Sequence, residues 1–398
     1  MTLSDEARQE RPHPSAAGKP PRSGFADALR GFALVGICVV NLPWLASYPP
    51  APPGGSPPLD MAAQLLVAAL FEGKFFVLFS LLFGFGFQRQ LARVRAGRAT
   101  PASYARRLVG LFVLGVLHAV LLFVGDILVS YALLGALLWT VRDWPDARLL
   151  ALARLSVAFA AAAFALLAWS YTGEHDAAQA AADAEAARRA YAGGFGEALA
   201  RRTQDLPGAA AVVLLFNWPL AFGAFCAGMV AGRRGLLDDP ARLAESLPPV
   251  KLLAAGAVVG NLGAAASYRL PDLWAPAAYA LLAIGAPCLA ALYALALARA
   301  WRSSRMRAWL AACLVPAGRM SLSNYLGQSL AANLVVAGWG FGLYATVALA
   351  ALPPLALAIA ATGLAVSALW LRLFRVGPAE WLLRAWTERG SGEPRHRR

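Results

Sequence analysis

The chain has 398 residues, of which 59% are apolar and 15% charged, against about 45–50% and about 25% for a soluble domain. This excludes an ordinary soluble enzyme. The net charge of +14 does not point to nucleic acid, because the cations stand in short clusters between apolar runs, as at Arg89, Arg93, Arg95 and Arg98, at Arg233 and Arg234, and at Arg302, Arg305 and Arg307; such clusters orient membrane helices under the positive-inside rule.

In chain order, residues 1–23 are polar and proline-rich and are expected to form a disordered cytosolic tail. The first apolar run, Phe25–Ala46, predicts a membrane span rather than a cleaved signal, since Asp27 and Arg30 stand at its start and many apolar runs follow. Pro49–Pro58 reads as a stiff, uncharged outer connection, and Leu59–Leu70 as an apolar stretch at the interface. Further spans are predicted over Gly73–Gln88, Tyr104–Val124, Ile127–Val141, Leu149–Tyr171, Ala209–Gly232, Val250–Tyr268, Trp274–Ala298, Arg319–Gly338 and Ala345–Phe374. The Pro353-Pro354 pair should kink the last of these or mark where it begins.

The total is about ten spans, and the predicted fold is an all-α polytopic membrane protein embedded in a lipid bilayer. Both termini are expected to be cytosolic, with roughly 27 Lys and Arg on the inner side and about five outside. The chain divides into the tail (1–23), an N-terminal membrane unit (24–143), a further span (144–171), an outer amphipathic insertion (172–208), a C-terminal membrane unit (209–376) and a cytosolic amphipathic tail (377–398). The insertion is rich in Ala, Glu, Asp and Arg and reads as one or two short helices over the outer face.

Cys38, Cys226, Cys288 and Cys313 each stand alone, with no CxxC pair and no nearby histidine pair, so neither a disulfide framework nor a zinc site is expected. Two of the four histidines, His13 and His396, fall in the polar tails, and no metal is expected. No GxSxG elbow, P-loop, HExxH or dinucleotide fingerprint is present.

Ionisable groups within hydrocarbon cost about 2.5–3.5 kcal/mol each on insertion scales, so they mark either function or a structural partner. His118, inside LVGLFVLGVLHAVLLFVGDIL, is the one histidine in a predicted span, and imidazole is the natural proton acceptor near neutral pH. Asp126 follows eight residues later; on a continuous helix that is about 12 Å, so a direct bond needs a break, which a turn at Gly125 would supply. Asn41 in the first span and Lys74 at the start of the second complete an outer polar cluster. An inner cluster comprises Asp27 and Arg30, three residues apart on one helical face, with Arg319, Asn324 and Gln328 of GRMSLSNYLGQS. The structural alternatives are an ion pair for Asp27 and Arg30, a snorkelling role for Lys74, a satisfied core histidine for His118 and helix–helix hydrogen bonds for the amides.

Five segments carry a family resemblance: DALRGFALVGICVVNLP from Asp27, FEGKFFVLFSLLFGFGF from Phe71, LHAVLLFVGDILVSYALLG from Leu117, GRMSLSNYLGQS from Gly318 and GPAEWLLRAW from Gly377. Together they resemble the YeiB family of bacterial inner-membrane proteins, whose C-terminal part is a domain of unknown function. That family is distantly similar to membrane acyltransferases of the heparan glucosaminide acetyltransferase and acyltransferase-three types. The resemblance implies transfer of an acyl group from cytosolic acyl-CoA to an envelope or exported acceptor. In the acyltransferase-three group an arginine is followed eleven residues later by a catalytic histidine; here Arg30 matches and Asn41 stands in the histidine position, so His118 would have to replace it.

The leading expectation is therefore an acyltransferase-like membrane protein. His118 would be the general base with Asp126 beside it, Asn41 or Lys74 would stabilise an oxyanion, and Arg30, Arg319, Asn324 and Gln328 would bind the acyl-CoA donor. The alternatives are a transporter that uses His118, Asp126 and Lys74 as a relay, and a non-catalytic scaffold or sensor.

Overall fold

The structure, a computed structural model, describes residues 23–46, 57–170, 177–267 and 275–388. The expectations for the N-terminal tail, for the proline-rich connection up to residue 56, for the start of the insertion and for the last ten residues lie outside the described residues. Every regular element among the described residues is helical. The first half comprises α1 (Gly24–Ala46), α2 (Pro58–Leu70), α3 (Lys74–Arg95), α4 (Pro101–Leu121), α5 (Leu128–Thr140) and α6 (Asp146–Ser170). Next come α7 (Ala177–Ala192), α8 (Phe195–Val212) and α9 (Trp218–Arg233), with a π-helical turn, Val213–Asn217, joining the last two. The second half comprises α10 (Pro240–Ser246), α11 (Val250–Ser267), α12 (Ala275–Ala280), α13 (Leu282–Arg302), α14 (Ser304–Cys313), α15 (Val315–Arg319), α16 (Ser321–Val336), α17 (Leu352–Leu373) and α18 (Pro378–Thr387).

Local chemistry sets the ends of these helices. Thr100 caps α4 by accepting the Ser103 N–H, and Pro101 occupies the first helical position, where no donor is needed. Gly73 begins α3 at φ +80°, a conformation a side chain would strain. Pro353 and Pro354 fall in the first turn of α17, so the pair marks its beginning. Pro219 has no N–H to return to the preceding turn; the hydrogen-bond ladder widens there, and the chain bends by 48° between α8 and α9.

Small residues bring the helices together. Gly84 of α3 lies against the Phe225 backbone of α9, and Gly228 of α9 lies against the Leu81 carbonyl, so a Cβ at either position would overlap main chain. Gly31 and Gly318 join α1 to α15 in the same way. Around the α3–α9 seam the aromatic core closes, with the Phe83 and Phe225 rings stacked at 4.6 Å. Outward, Val109, Phe112, Val113 and Val116 of α4, Leu155 and Phe159 of α6, and Leu369 of α17 are exposed. Contiguous apolar belts of that kind face lipid, and the chain is an all-α membrane protein.

The expected ten spans are not all found. Among the described residues six helices are long and apolar enough to cross a membrane, or up to eight if each of two bent pairs is one span. The difference lies in helices such as α5, with 13 residues, and α16, with 16, both short of the roughly 20 residues a bilayer demands. Leu59–Leu70 forms α2 and is nearly continuous with α3. The insertion supplies α7 and α8, but α8 runs past residue 208 toward α9 without a separate boundary.

The bundle has two polar ends. At the basic end α3, α9 and α13 finish in Arg95, Arg233 and Arg302, and α18 docks on the start of α4, where the Trp386 indole donates to the Arg106 carbonyl at 2.9 Å. At the opposite end α4 stops and the α7–α8 pair closes over the bundle.

Candidate functional site

His118 lies one turn from the end of α4. Its carbonyl accepts from both Leu122 and Phe123, each at 2.9 Å, which stops the helix. The chain then turns through Gly125, and Asp126 caps α5 by accepting the Val129 N–H on Oδ2 at 2.8 Å. The break reverses the chain direction, so residues eight apart in sequence meet: Asp126 Oδ1 lies 2.8 Å from His118 Nδ1. The other ring nitrogen, Nε2, lies 2.9 Å from Ser329 Oγ on α16. The Tyr325 ring packs 4.8 Å from the imidazole, and its hydroxyl accepts the Ile127 N–H at 3.2 Å.

This network selects a tautomer. An ionised Asp126 only accepts, so Nδ1 carries the hydrogen and Nε2 presents its lone pair to the Ser329 hydroxyl. His118, Asp126 and Ser329 are 2%, 5% and 3% exposed. A hydroxyl, an imidazole and a carboxylate in that order, shielded from water, form the arrangement that activates a nucleophile: the base lies within reach of the hydroxyl, and a third group holds the base.

Two crevices adjoin the network. One, with about 230 Å³ of empty space, lies between α1 and α16 and is lined by Asn41, Leu45, Tyr325, Gln328 and Ser329. The other, with about 310 Å³, is lined by Leu45, Phe123, Tyr191, Arg202 and Asn333. Asn333 stands one turn beyond Ser329 and donates to the Ser329 and Leu122 carbonyls at 2.8 and 3.0 Å, while its Oδ1 accepts from Arg202 at 2.6 Å. Arg202 also donates to the Leu121 carbonyl at 2.9 Å, so α8 satisfies the open end of α4.

Of the residues singled out in the sequence, His118 and Asp126 are joined directly, and Asn41 lines the crevice that Ser329 faces. Lys74 is placed elsewhere: its buried ammonium donates to the Ala68 carbonyl at 2.6 Å, and it lines neither crevice. The four residues expected to bind the donor are each engaged in contacts within the bundle. Arg30 pairs with Asp27 at 2.7 Å, whereas Arg319 reaches the Arg375 carbonyl at 3.3 Å. Asn324 binds Ser367 Oγ at 2.7 Å and the Met320 carbonyl at 3.0 Å, which ties α16 to α17. Gln328 donates to the Leu34 carbonyl at 3.3 Å and so joins α16 to α1 beside the first crevice. Polar groups in a packed bundle take the acceptors within reach, here a carboxylate, a hydroxyl and backbone carbonyls.

Sequence reasoning missed Ser329, Asn333 and Arg202. The first two had a signal, since Tyr325, Ser329 and Asn333 recur every four residues on one helical face. Arg202 had none, because it sits among alternating charges that read as a solvated helix.

The Bacillus subtilis (strain 168) uncharacterized protein YxaH is 32% identical over 389 residues, covering 92% of this chain and 94% of its own length. The Escherichia coli (strain K12) uncharacterized protein YeiB is 32% identical over 391 residues, covering 93% and 97%. The chain belongs to the YeiB family. An uncharacterized 39.9 kDa protein in the amylase 3' region of Bacillus acidopullulyticus is 36% identical over 121 residues, 29% of this chain and 33% of its own. The family described as "Protein of unknown function (DUF418)" matches residues 231–390. In this YeiB-family chain that region holds Ser329 and Asn333, while the half before it supplies His118, Asp126 and Arg202. No solved structure matches.

Proposed function

We propose that this YeiB-family protein is an acyl-transfer enzyme of the bacterial inner membrane. What carries the reading is the hydrogen-bonded chain Ser329–His118–Asp126, buried beside a crevice. Ser329 Oγ attacks the carbonyl carbon of an acyl thioester, with acyl-CoA as the donor, while His118 Nε2 takes the hydroxyl proton and Asp126 stabilises the imidazolium. The C–S bond breaks and the thiolate leaves with that proton. A hydroxyl or amine of an envelope or exported acceptor then attacks the acyl-serine, giving its own proton to His118. As the C–Oγ bond breaks, Oγ recovers the proton and Ser329 is restored. Asn41 faces the same crevice, with its amide engaged in no hydrogen bond among the described residues, and serves as the oxyanion donor.

The test uses the full-length protein in detergent with acetyl-, octanoyl- and palmitoyl-CoA, each labelled in the acyl group. Label should accumulate on the Ser329 peptide, as read by mass spectrometry, and be released as free acid. General-base catalysis contributes about 10²–10⁴-fold, so His118→Ala should slow labelling by that factor, and Ser329→Ala should abolish it. Absence of label with all three donors, or undiminished label in both variants, would overturn the reading; unfolding temperatures establish that the variants fold.

A further inference from the structure

Arg202 is 3% exposed, yet its hydrogen-bond partners among the described residues are neutral: the Leu121 carbonyl and the Asn333 amide oxygen. The carboxylate nearest in sequence, Asp205, pairs with Arg201 at 2.9 Å and accepts the Tyr191 hydroxyl at 2.7 Å. Burial and that acceptor together hold the Tyr191 hydroxyl protonated, well above the ordinary tyrosine range. The Arg202 guanidinium lies over the Tyr191 ring, 5.6 Å from its centroid. The α4 C-terminus contributes only partial negative charge. A buried guanidinium held by carbonyl dipoles and a ring thus retains a full charge with no full counter-charge among the described residues, an arrangement that burial disfavours.

That charge lines the second crevice, whose walls include Phe123, Tyr191 and Asn333. Among the described residues two of the five guanidinium N–H groups are used, and a carboxylate or phosphate can take a further two side by side. The crevice is narrow and partly open to solvent, so the anionic group alone need enter it to reach those donors. Through Asn333 the crevice is fixed one helical turn from Ser329, and through Phe123 it is fixed next to the turn that follows His118.

We propose that the Arg202 crevice binds an anionic oxygen group, carboxylate or phosphate, carried by the acceptor of the acyl group. Its aromatic walls hold the carbon body next to that anion and leave the attacking hydroxyl or amine within reach of the Ser329 ester. This rests on the acyl-transfer reading for its role, but not for its existence as a site.

Anion binding is therefore measured on the full-length Ser329→Ala protein, which has no nucleophile. The soluble probes are glycerol phosphate, inorganic phosphate and acetate, followed by calorimetry and the shift in unfolding temperature. Nanodiscs of phosphatidylglycerol against phosphatidylcholine distinguish a lipid head group from a soluble ligand. At least one anionic probe should bind and raise the unfolding temperature. Asn333→Asp places a carboxylate on Arg202 from within, and Arg202→Lys keeps the charge but not the fork; each should raise Kd about tenfold or more. Asn333→Asp gains an ion pair but gives up the amide's donations to the Ser329 and Leu122 carbonyls, so its unfolding temperature is measured alongside, and Arg202→Lys decides the matter if that variant does not fold. The absence of binding by every anionic probe, or equal binding by both variants, overturns the proposal. Anion binding by a protein that transfers no label leaves this site standing and removes the acyl-transfer reading alone.

Discussion

The two polar ends of the bundle differ in the charges they bury. At the basic end, cations meet carboxylates in partly exposed pairs: Arg89 with Asp238 at 3.0 Å, Arg95 with Asp143 at 2.6 Å, and Arg233 and Arg234 with Asp146 at 3.0 and 2.9 Å. At the other end the outer face of α7 carries exposed pairs of the same kind, Glu185 with Arg188 and Arg189 at 2.7 and 2.8 Å, but beneath it His118, Asp126 and Arg202 are nearly sealed from solvent and are tied to one another's neighbours through a hydroxyl, an amide and a carbonyl. The exposed charges therefore staple the surface at both ends, while the few buried ones form a linked chemical network. Burial, not charge density, marks the second end.

The strongest test of that contrast sets one carboxylate against another. Asp126→Asn preserves shape but frees the imidazole to adopt the wrong tautomer and leaves the imidazolium unsupported. Acyl transfer should fall about 10⁴-fold, equivalent to about 5.5 kcal/mol. Asp238→Asn, at the basic end, should leave transfer from labelled acyl-CoA unchanged. Equal losses in the two variants would erase the distinction between the ends.

How much of this was readable beforehand follows from the same contrast. The apolar runs declared the helices, and His118 stood out as a lone imidazole in hydrocarbon. The eight-residue separation from Asp126 demanded a break, and the Gly125 turn is where the chain breaks. Ser329 and Asn333 escaped attention because a serine and an asparagine in an apolar helix are ordinary helix–helix contacts. Only the partner on α4 gives them meaning, and that pairing spans 211 residues. Lys74 and Asn324 drew attention by their polarity, yet nearby carbonyls and a hydroxyl satisfy them. Arg202 was hidden because burial of an amphipathic helix is a tertiary event.

Both ends depend on a rigid middle, and the next largest effect lies there. Gly84→Ala would drive a methyl into the Phe225 backbone and should cost about 1–3 kcal/mol, as overpacking does, read as a lower unfolding temperature in detergent. At Gly86 the nearest atom to an added Cβ is the end of the Arg30 side chain, at 3.6 Å. Gly86→Ala should therefore be neutral, or stabilising through helix propensity by up to about 1 kcal/mol. If the two behaved alike, the close approach of α3 and α9 would not be what holds the ends apart.

Glu380 asks whether the ends communicate. Its carboxylate caps α16, accepting the Leu322 N–H at 2.7 Å and the Ser323 hydroxyl at 2.5 Å, while Ser329 stands further along the same helix. Glu380→Ala should cost about 1–2 kcal/mol, as loss of a helix cap does, and loosen α18, as seen by proteolysis near Pro378. Transfer per folded molecule should hold, because Ser329 is positioned locally by His118 and Asn333. A large drop in transfer at constant folded fraction would show that the basic end sets the geometry of the other.

The smallest expected effect completes the contrast. Arg95 and Asp143 approach to 2.6 Å, but their side chains are 51% and 65% exposed. Water and salt screen such a pair, and ordering two long side chains offsets most of the attraction, so exposed pairs contribute about 0.2–1 kcal/mol. Arg95→Gln should move the unfolding temperature little at about 0.1 M salt and not at all at about 1 M, where the Debye length falls to about 3 Å. The His118–Asp126 contact, sealed from counterions, should give the same Asp126→Asn deficit at both salt concentrations. If instead the Arg95 effect persisted in high salt, or the Asp126 deficit faded, the exposed staples and the buried network would be obeying one electrostatics, and the difference between the ends would be one of degree.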